Sequence, residues 1–228
     1  MKACDVIVQE RQRQLDQCKK ELLKAIKDGV KREKELGNVG QESMFVEYVR
    51  ISRTEGVDDK DATDMVVKLL DEAGAGTPKA KGKQQEVSLS NKQKESIWTH
   101  REKTHEIRRL TKELVGRVRS LRYFTVVRDL QKQTDTPLEV SCPSCGRAKL
   151  PIADIAVLSS CGHMGCLPCV TSCAEKEECV YAASGQCKSA ARVINVVKAE
   201  TLGVDDVERH GKGRHFGMKL ESVVDLIK

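Results

Sequence analysis

The 228-residue chain is 32% charged and only 3% aromatic, with a formal net charge of +6. So few aromatics exclude one large, conventionally packed core and favour small or elongated elements. The N-terminus MKACDVIVQERQRQ has no apolar stretch of signal-peptide length, and nowhere do about 18 apolar residues run together as a membrane span requires. An intracellular protein without a membrane segment is therefore expected.

Residues 3–36 place Leu15, Cys18, Leu22 and Ile26 at three- and four-residue steps among charged side chains, which predicts a helix with one narrow apolar stripe. The turn GNVG at 37–40 leads to a predicted short helix from Met44 to Ile51. DDKDATDMVVKLLDEAG follows, acidic at its start and ending at Gly74, and predicts a helix carrying Met65, Val66, Leu69 and Leu70 on its apolar side.

GAGTPKAKGKQQEV, from Gly74 to Val87, has the composition of a flexible linker. A phosphate-binding loop ending at Gly82-Lys83 would need glycine at Thr77 and Ser or Thr at Gln84. Both are missing, so nucleotide binding is excluded there.

Ser90 is a good N-cap for a long helix over 91–132, whose seam runs Ile107, Leu110, Leu114, Val118, Leu121 and Phe124, weakened only by Gly116. Folding the N-terminal helix back onto this arm covers both stripes, and coiled-coil self-association would do the same. From Ser90 to Lys132 there are 12 Lys and Arg against 5 Asp and Glu, an excess of +7. Such a helix, with Trp98 available to stack on a base, could contact DNA through 90–132, its arginines Arg108, Arg109, Arg117 and Arg119 lying on phosphates. A solvated coiled-coil face with i,i+4 ion pairs is the plainer reading, and the one we favour.

Thr136-Pro137 ends the arm. Eight of the ten cysteines then fall between Cys142 and Cys187. The spacing is Cys142-x2-Cys145-x15-Cys161-x1-His163-x2-Cys166-x2-Cys169, followed by Cys173, Cys179 and Cys187. In a reducing compartment such a cluster reads as a metal site rather than a disulfide framework. A C-x2-C step lets two thiolates on one tight turn reach the same tetrahedral zinc, and Pro143 and Gly146 suit that turn.

Tyr181 is the only Phe, Tyr or Trp between Pro137 and Glu200, so this segment has little with which to fold unaided, and metal would serve as its core. No H-E-x-x-H or H-x-E pattern accompanies the cysteines, which argues against catalytic zinc. The thioredoxin reading of Cys142-Pro-Ser-Cys145 lacks a flanking βαβ pattern. Beyond the cluster, ARVINVVKA predicts a strand, and HFGMKLESVVDLIK a terminal helix with Leu220, Val223, Val224 and Ile227 on one side.

The ligand order resembles the RING finger family, whose first and third ligand pairs share one zinc ion and whose second and fourth share another. That resemblance implies two Zn2+ ions. Cys142, Cys145, Cys166 and Cys169 would form the first site, and Cys161 and His163 would open the second. The fourth pair departs from the usual C-x2-C. Cys173 lies too near Cys169 to leave the family's short helix, so Cys179 and Cys187 are expected to complete the second site, with VYAASGQ as an expanded loop and Cys173 as the alternative ligand in place of Cys179.

Members of the family commonly act as ubiquitin-protein ligases that align a charged ubiquitin-conjugating enzyme for attack by a lysine of a protein substrate. The resemblance makes two positions informative. Ser144 stands where many ligases carry a bulky aliphatic, and Lys188 follows the last ligand where a basic residue is common. Ile152, Ile155, Val157 and Leu158 offer further apolar contacts, although strand packing is their simpler role.

The flanks, RVRSLRYFTVVRDLQ before the cluster and Gly217-Met218-Lys219-Leu220 after it, resemble the RING-bearing insertion of Swi/Snf-type helicase-like ATPases. That resemblance implies a nuclear, chromatin-associated setting and a motor carried on a longer chain.

The expected fold is thus an α-helical coiled-coil or helical-hairpin arm plus a small zinc-stabilised α+β RING-like module. In residues, it comprises an N-terminal helical segment over 1–73, a linker over 74–89 and a basic helix over 90–135. The two-zinc module spans 138–200, and a linker and C-terminal helix span 201–228.

Overall fold

Two long helices cover each other's apolar stripes because neither stripe could stay helical alone in water. The computed structural model describes residues 3–36, 59–75, 91–132 and 140–202. Features expected at 37–40, 44–51, 76–90, 133–139 and 203–228, and the side chain of Trp98, lie outside the described residues.

Helix α1 (Ala3–Leu36) packs along α3 (Asn91–Lys132), with α2 (Lys60–Glu72) against both. The α1 and α3 helices run antiparallel: Asp5 meets Lys132 at 2.9 Å, Gln14 meets Arg117 at 2.6 Å, and Asp28 meets Lys103 at 3.9 Å. Leu15, Cys18, Leu22, Ala25 and Ile26 from α1, Val66 and Leu70 from α2, and Ile107, Leu110, Leu114 and Val118 from α3 form one core. This is the predicted hairpin. Its seam residue Leu121 is only partly buried, and Phe124 lies under the Arg11 guanidinium, 5.2 Å from the ring centroid.

The α2 helix starts on Asp59, whose side chain accepts from the Ala62 N–H, and ends where the Ala75 N–H reaches Leu70 O past Gly74 at φ +72°. Ala62, Val66 and Leu70 are its buried residues, while Met65 and Leu69 are only partly covered.

The second unit is a three-stranded antiparallel sheet in the order β2-β1-β3, formed by β1 (Ile155–Leu158), β2 (Met164–Cys166) and β3 (Val196–Lys198). Helix α4 (Leu167–Glu175) follows β2, and the short α5 (Ala199–Leu202) follows β3. Central strand β1 is buried along its whole length. Its alternate residues face different layers. Ala156 and Leu158 join Val170 and Ala174 of α4. Ile155 and Val157 join Val126 and Leu130 from the last turns of α3. The arm therefore contributes one wall of the module's core.

The run ARVINVVKA, expected to be a strand throughout, is one only at Val196–Lys198. Ahead of it Val193–Asn195 forms a 3-10 turn. The Asn195 side chain accepts from the Arg192 N–H at 2.9 Å, and the Asn195 N–H donates to Arg192 O at 2.7 Å, closing the turn against its β-branched composition. Val193 and Ile194 are left exposed.

Candidate metal centres

Among the described residues, two groups of four donor atoms converge, each group within 4.8 Å. Cys142, Cys145, Cys166 and Cys169 make one; Cys161, His163, Cys179 and Cys187 make the other. Tetrahedral zinc with Zn–S bonds of about 2.3 Å requires sulfur separations of about 3.8 Å. Cys145 and Cys166 are 3.7 Å apart at Sγ, as are Cys161 and Cys179, and His163 Nδ1 lies 3.3 Å from Cys179 Sγ. Both donor sets fit zinc in number, chemistry and spacing.

Local structure supplies each pair. Cys142 and Cys145 sit on a turn closed by the Cys142 N–H to Arg147 O at 2.8 Å and the Gly146 N–H to Cys142 O at 2.9 Å. Gly146 takes φ +71°, a left-handed conformation that glycine adopts at least cost. Cys166 ends β2 and Cys169 lies in the first turn of α4, so a strand-to-helix junction presents the other half. Cys161 and His163 occupy the tight connection between β1 and β2, with Gly162 donating to Leu158 O at 2.7 Å.

Tyr181 packs on the His163 ring at a centroid distance of 4.6 Å, and its backbone N–H donates to Cys179 Sγ at 3.5 Å. Cys173 stays outside both tetrads, half-buried against the core of Ala156, Leu158 and Val170.

The electrostatics are those of a cation cage. Hydrogen bonds from the Arg147 backbone and side chain draw the Cys145 thiol down to about 6. Bonds from Cys179 and Cys187 draw Cys161 down to about 3. Their neighbours move the other way: the thiol contact with Cys166 pushes Cys169 up to about 12, and the contact with Cys161 raises Cys179. The four adjacent thiols of the first site, and the three of the second, cannot all ionise against one another, and a divalent cation removes that conflict by accepting the charge of each.

Gly162 marks where this loop meets the arm. A Cβ there would lie 2.5 Å from Tyr123 N and 2.9 Å from Arg122 C, and Gly162 itself has φ +74°. Gly162→Ala is expected to cost about 1–3 kcal/mol through overpacking and backbone strain, read as a fall in the thermal midpoint. An unchanged midpoint would show that the loop does not press on α3.

The joint continues through residues that periodicity does not reveal. Asp59, only 1% exposed, receives Arg122 Nη2 at 2.8 Å and Arg122 Nη1 at 3.0 Å, with Arg119 Nε 3.7 Å away. Burial alone would raise the Asp59 pKa, but the hydrogen bonds and charge of Arg122 hold it below the ordinary carboxylate range. Arg122 also donates to Cys161 O at 2.9 Å and to Asp61 at 2.6 Å. The acidic start of α2 was legible as a helix signal, but its partner on α3 was not.

Of the arginines considered as phosphate contacts, Arg109 and Arg117 both pair with Glu113, and Arg119 turns toward Asp59. Arg108 is half-buried. Ser144 and Lys188 are both exposed, beside the first and second tetrads respectively. Ile155, Val157 and Leu158 are buried strand residues, and Ile152 is partly buried.

No family model matches the chain. It is 34% identical, over 244 aligned positions, to the DNA (cytosine-5-)-methyltransferase DMT5 of Cryptococcus neoformans var. grubii. The similarity covers 99% of this chain, so arm and metal module are matched together. The chain spans only 10% of the length of that relative. No helix among the described residues is long and apolar enough to cross a membrane.

Proposed function

We propose that the chain is a RING-type adaptor that recruits a ubiquitin-conjugating enzyme, carried on a helical arm and belonging to a much longer DNA-directed protein. The observation that carries this reading is the interleaving of the two tetrads. The first and third ligand pairs meet at one site and the second and fourth at the other, with α4 beginning between the ligands Cys166 and Cys169.

Zinc here is a scaffold. All four donors of each site are protein side chains, so no position remains for a reacting water. The chemistry would belong to the partner: a lysine amine of the protein substrate attacks the thioester of the charged conjugating enzyme, and the module contributes orientation. By the family resemblance, Lys188, which is exposed, would be the basic residue that touches both ubiquitin and the conjugating enzyme.

The wider setting is proposed from the relative named above. A DNA methyltransferase acts on DNA, so a nuclear role beside DNA is assigned to this chain too. A relative ten times longer also has room for the helicase-like motor that the flanking segments resemble. The partner is assigned to the metal module rather than the arm, because part of the arm's positive charge is neutralised by Glu113, Asp59 and Asp61.

A second reading, a zinc-dependent interaction module without ligase activity, is favoured by Ser144, which puts an exposed hydroxyl where a ligase would present an aliphatic side chain. Ubiquitin discharge from a panel of loaded conjugating enzymes separates the two. The adaptor reading expects at least about tenfold acceleration with one of them, equivalent to about 1.4 kcal/mol of barrier, lost in Cys166→Ala and weakened in Lys188→Ala. No acceleration with any enzyme of the panel establishes the interaction module instead.

A further inference from the structure

We infer that Asp59 is a positioning residue for the second metal site, so that metal retention there depends on the docking of α2 against the arm. The inference rests on reading Cys161, His163, Cys179 and Cys187 as a zinc site.

The two sites differ in how their ligands are held. Both ligand pairs of the first site are C-x2-C steps, each confined to one turn. The last pair of the second site, Cys179 and Cys187, is separated by seven residues, and a longer loop costs more entropy to close. Internal bonds organise part of this loop: Ala182 N–H to Cys179 O, Gly185 N–H to Ala182 O, and Gln186 N–H to Tyr181 O.

The end that carries Cys187 is held from outside. Asp59 forms an antiparallel backbone bridge with Cys187, and the Lys60 N–H donates to Gln186 O at 2.9 Å. The N-terminus of α2 therefore clips the loop as a one-residue strand.

The ion pair completes the clip. Asp59 accepts both Arg122 amino groups, and the same guanidinium binds Cys161 O. The first and last ligands of the second site are thus fixed by two residues that touch one another, 63 positions apart in the chain. None of the bonds made by Asp59, Lys60 or Arg122 reaches a ligand of the first site. Outer partners of metal ligands commonly change metal affinity about 10–100-fold. Loss of the clip must therefore act on one site and spare the other.

The experiment uses the full chain loaded with two metal equivalents, with release followed against a chromophoric chelator. Cobalt(II) absorption tells the four-thiolate set from the set with one imidazole. Asp59→Asn keeps the shape and the N-cap capacity, and Arg122→Gln removes the charge from the other side. Both are expected to weaken the imidazole-containing site about 10–100-fold and leave the four-thiolate site within about twofold of wild type.

A third variant, Val66→Ala, loosens α2 from the hairpin without touching the loop, and should shift the same site in the same direction. By reciprocity, metal removal should raise amide exchange over residues 60–72. Two ions bound as tightly in Asp59→Asn as in wild type, or both sites weakened equally, overturns the inference. A wild-type chain that binds fewer than two ions overturns the zinc reading itself.

Discussion

Chelation is expected to unfold residues 140–202 while leaving the upper hairpin helical. The strands of this module are three or four residues long, and its longest helix has nine. Elements of that size do not persist without a core, and here two small clusters must serve. Each structural zinc contributes on the order of 10–16 kcal/mol of apparent binding free energy, comparable with the whole stability of a typical domain at about 5–15 kcal/mol.

Metal analysis should return two zinc per chain, and Cys166→Ala should reproduce the effect of chelation on the first site. Amide exchange separates the layers. Protection should vanish over Ile155–Leu158 and fall over the last turns of α3, where Val126 and Leu130 lose their partners, yet persist around Leu114. Metal content near zero with protection intact over β1 would remove the metal from the account of this fold.

The second large effect is expected in the arm. Leu22→Ala should destabilise the hairpin by about 2–5 kcal/mol, seen as a lower urea midpoint at unchanged slope. Leu22 is fully buried in the core shared by three helices, and truncation leaves a cavity that long rigid helices cannot close. Arg13→Ala, on the exposed face of α1, should stay within about 0.5 kcal/mol of wild type. Equal effects for the two would mean that α1 is not packed against α3.

These two expectations draw on features of different legibility. The hairpin could be read because a buried helical face repeats every three or four residues, and Leu15, Leu22, Leu110 and Leu114 carry that repeat openly. The donor atoms could be read because thiols and imidazole at C-x2-C and C-x-H steps have a chemistry of their own. The interleaved pairing came from likeness to a known family, since spacing alone does not say which half-sites join.

Other features had no local signature. Val126 and Leu130 continue the stripe of α3, and nothing in that stripe indicates that it stops facing α1 and begins to face β1. ARVINVVKA has strand composition, but a hydrogen bond from the Arg192 N–H to the Asn195 side chain closes a turn first. Asp59 looks like one of several acids opening a helix.

The sequence by itself determined the long helices and the inventory of metal donors, because both are set by local periodicity and side-chain chemistry. Tertiary structure alone decided that the arm forms a wall of the metal module and that Asp59 and Arg122, paired with each other, contact Cys187 and Cys161. An ion pair spanning 63 positions has no period, and whether a carboxylate is buried depends on everything packed around it.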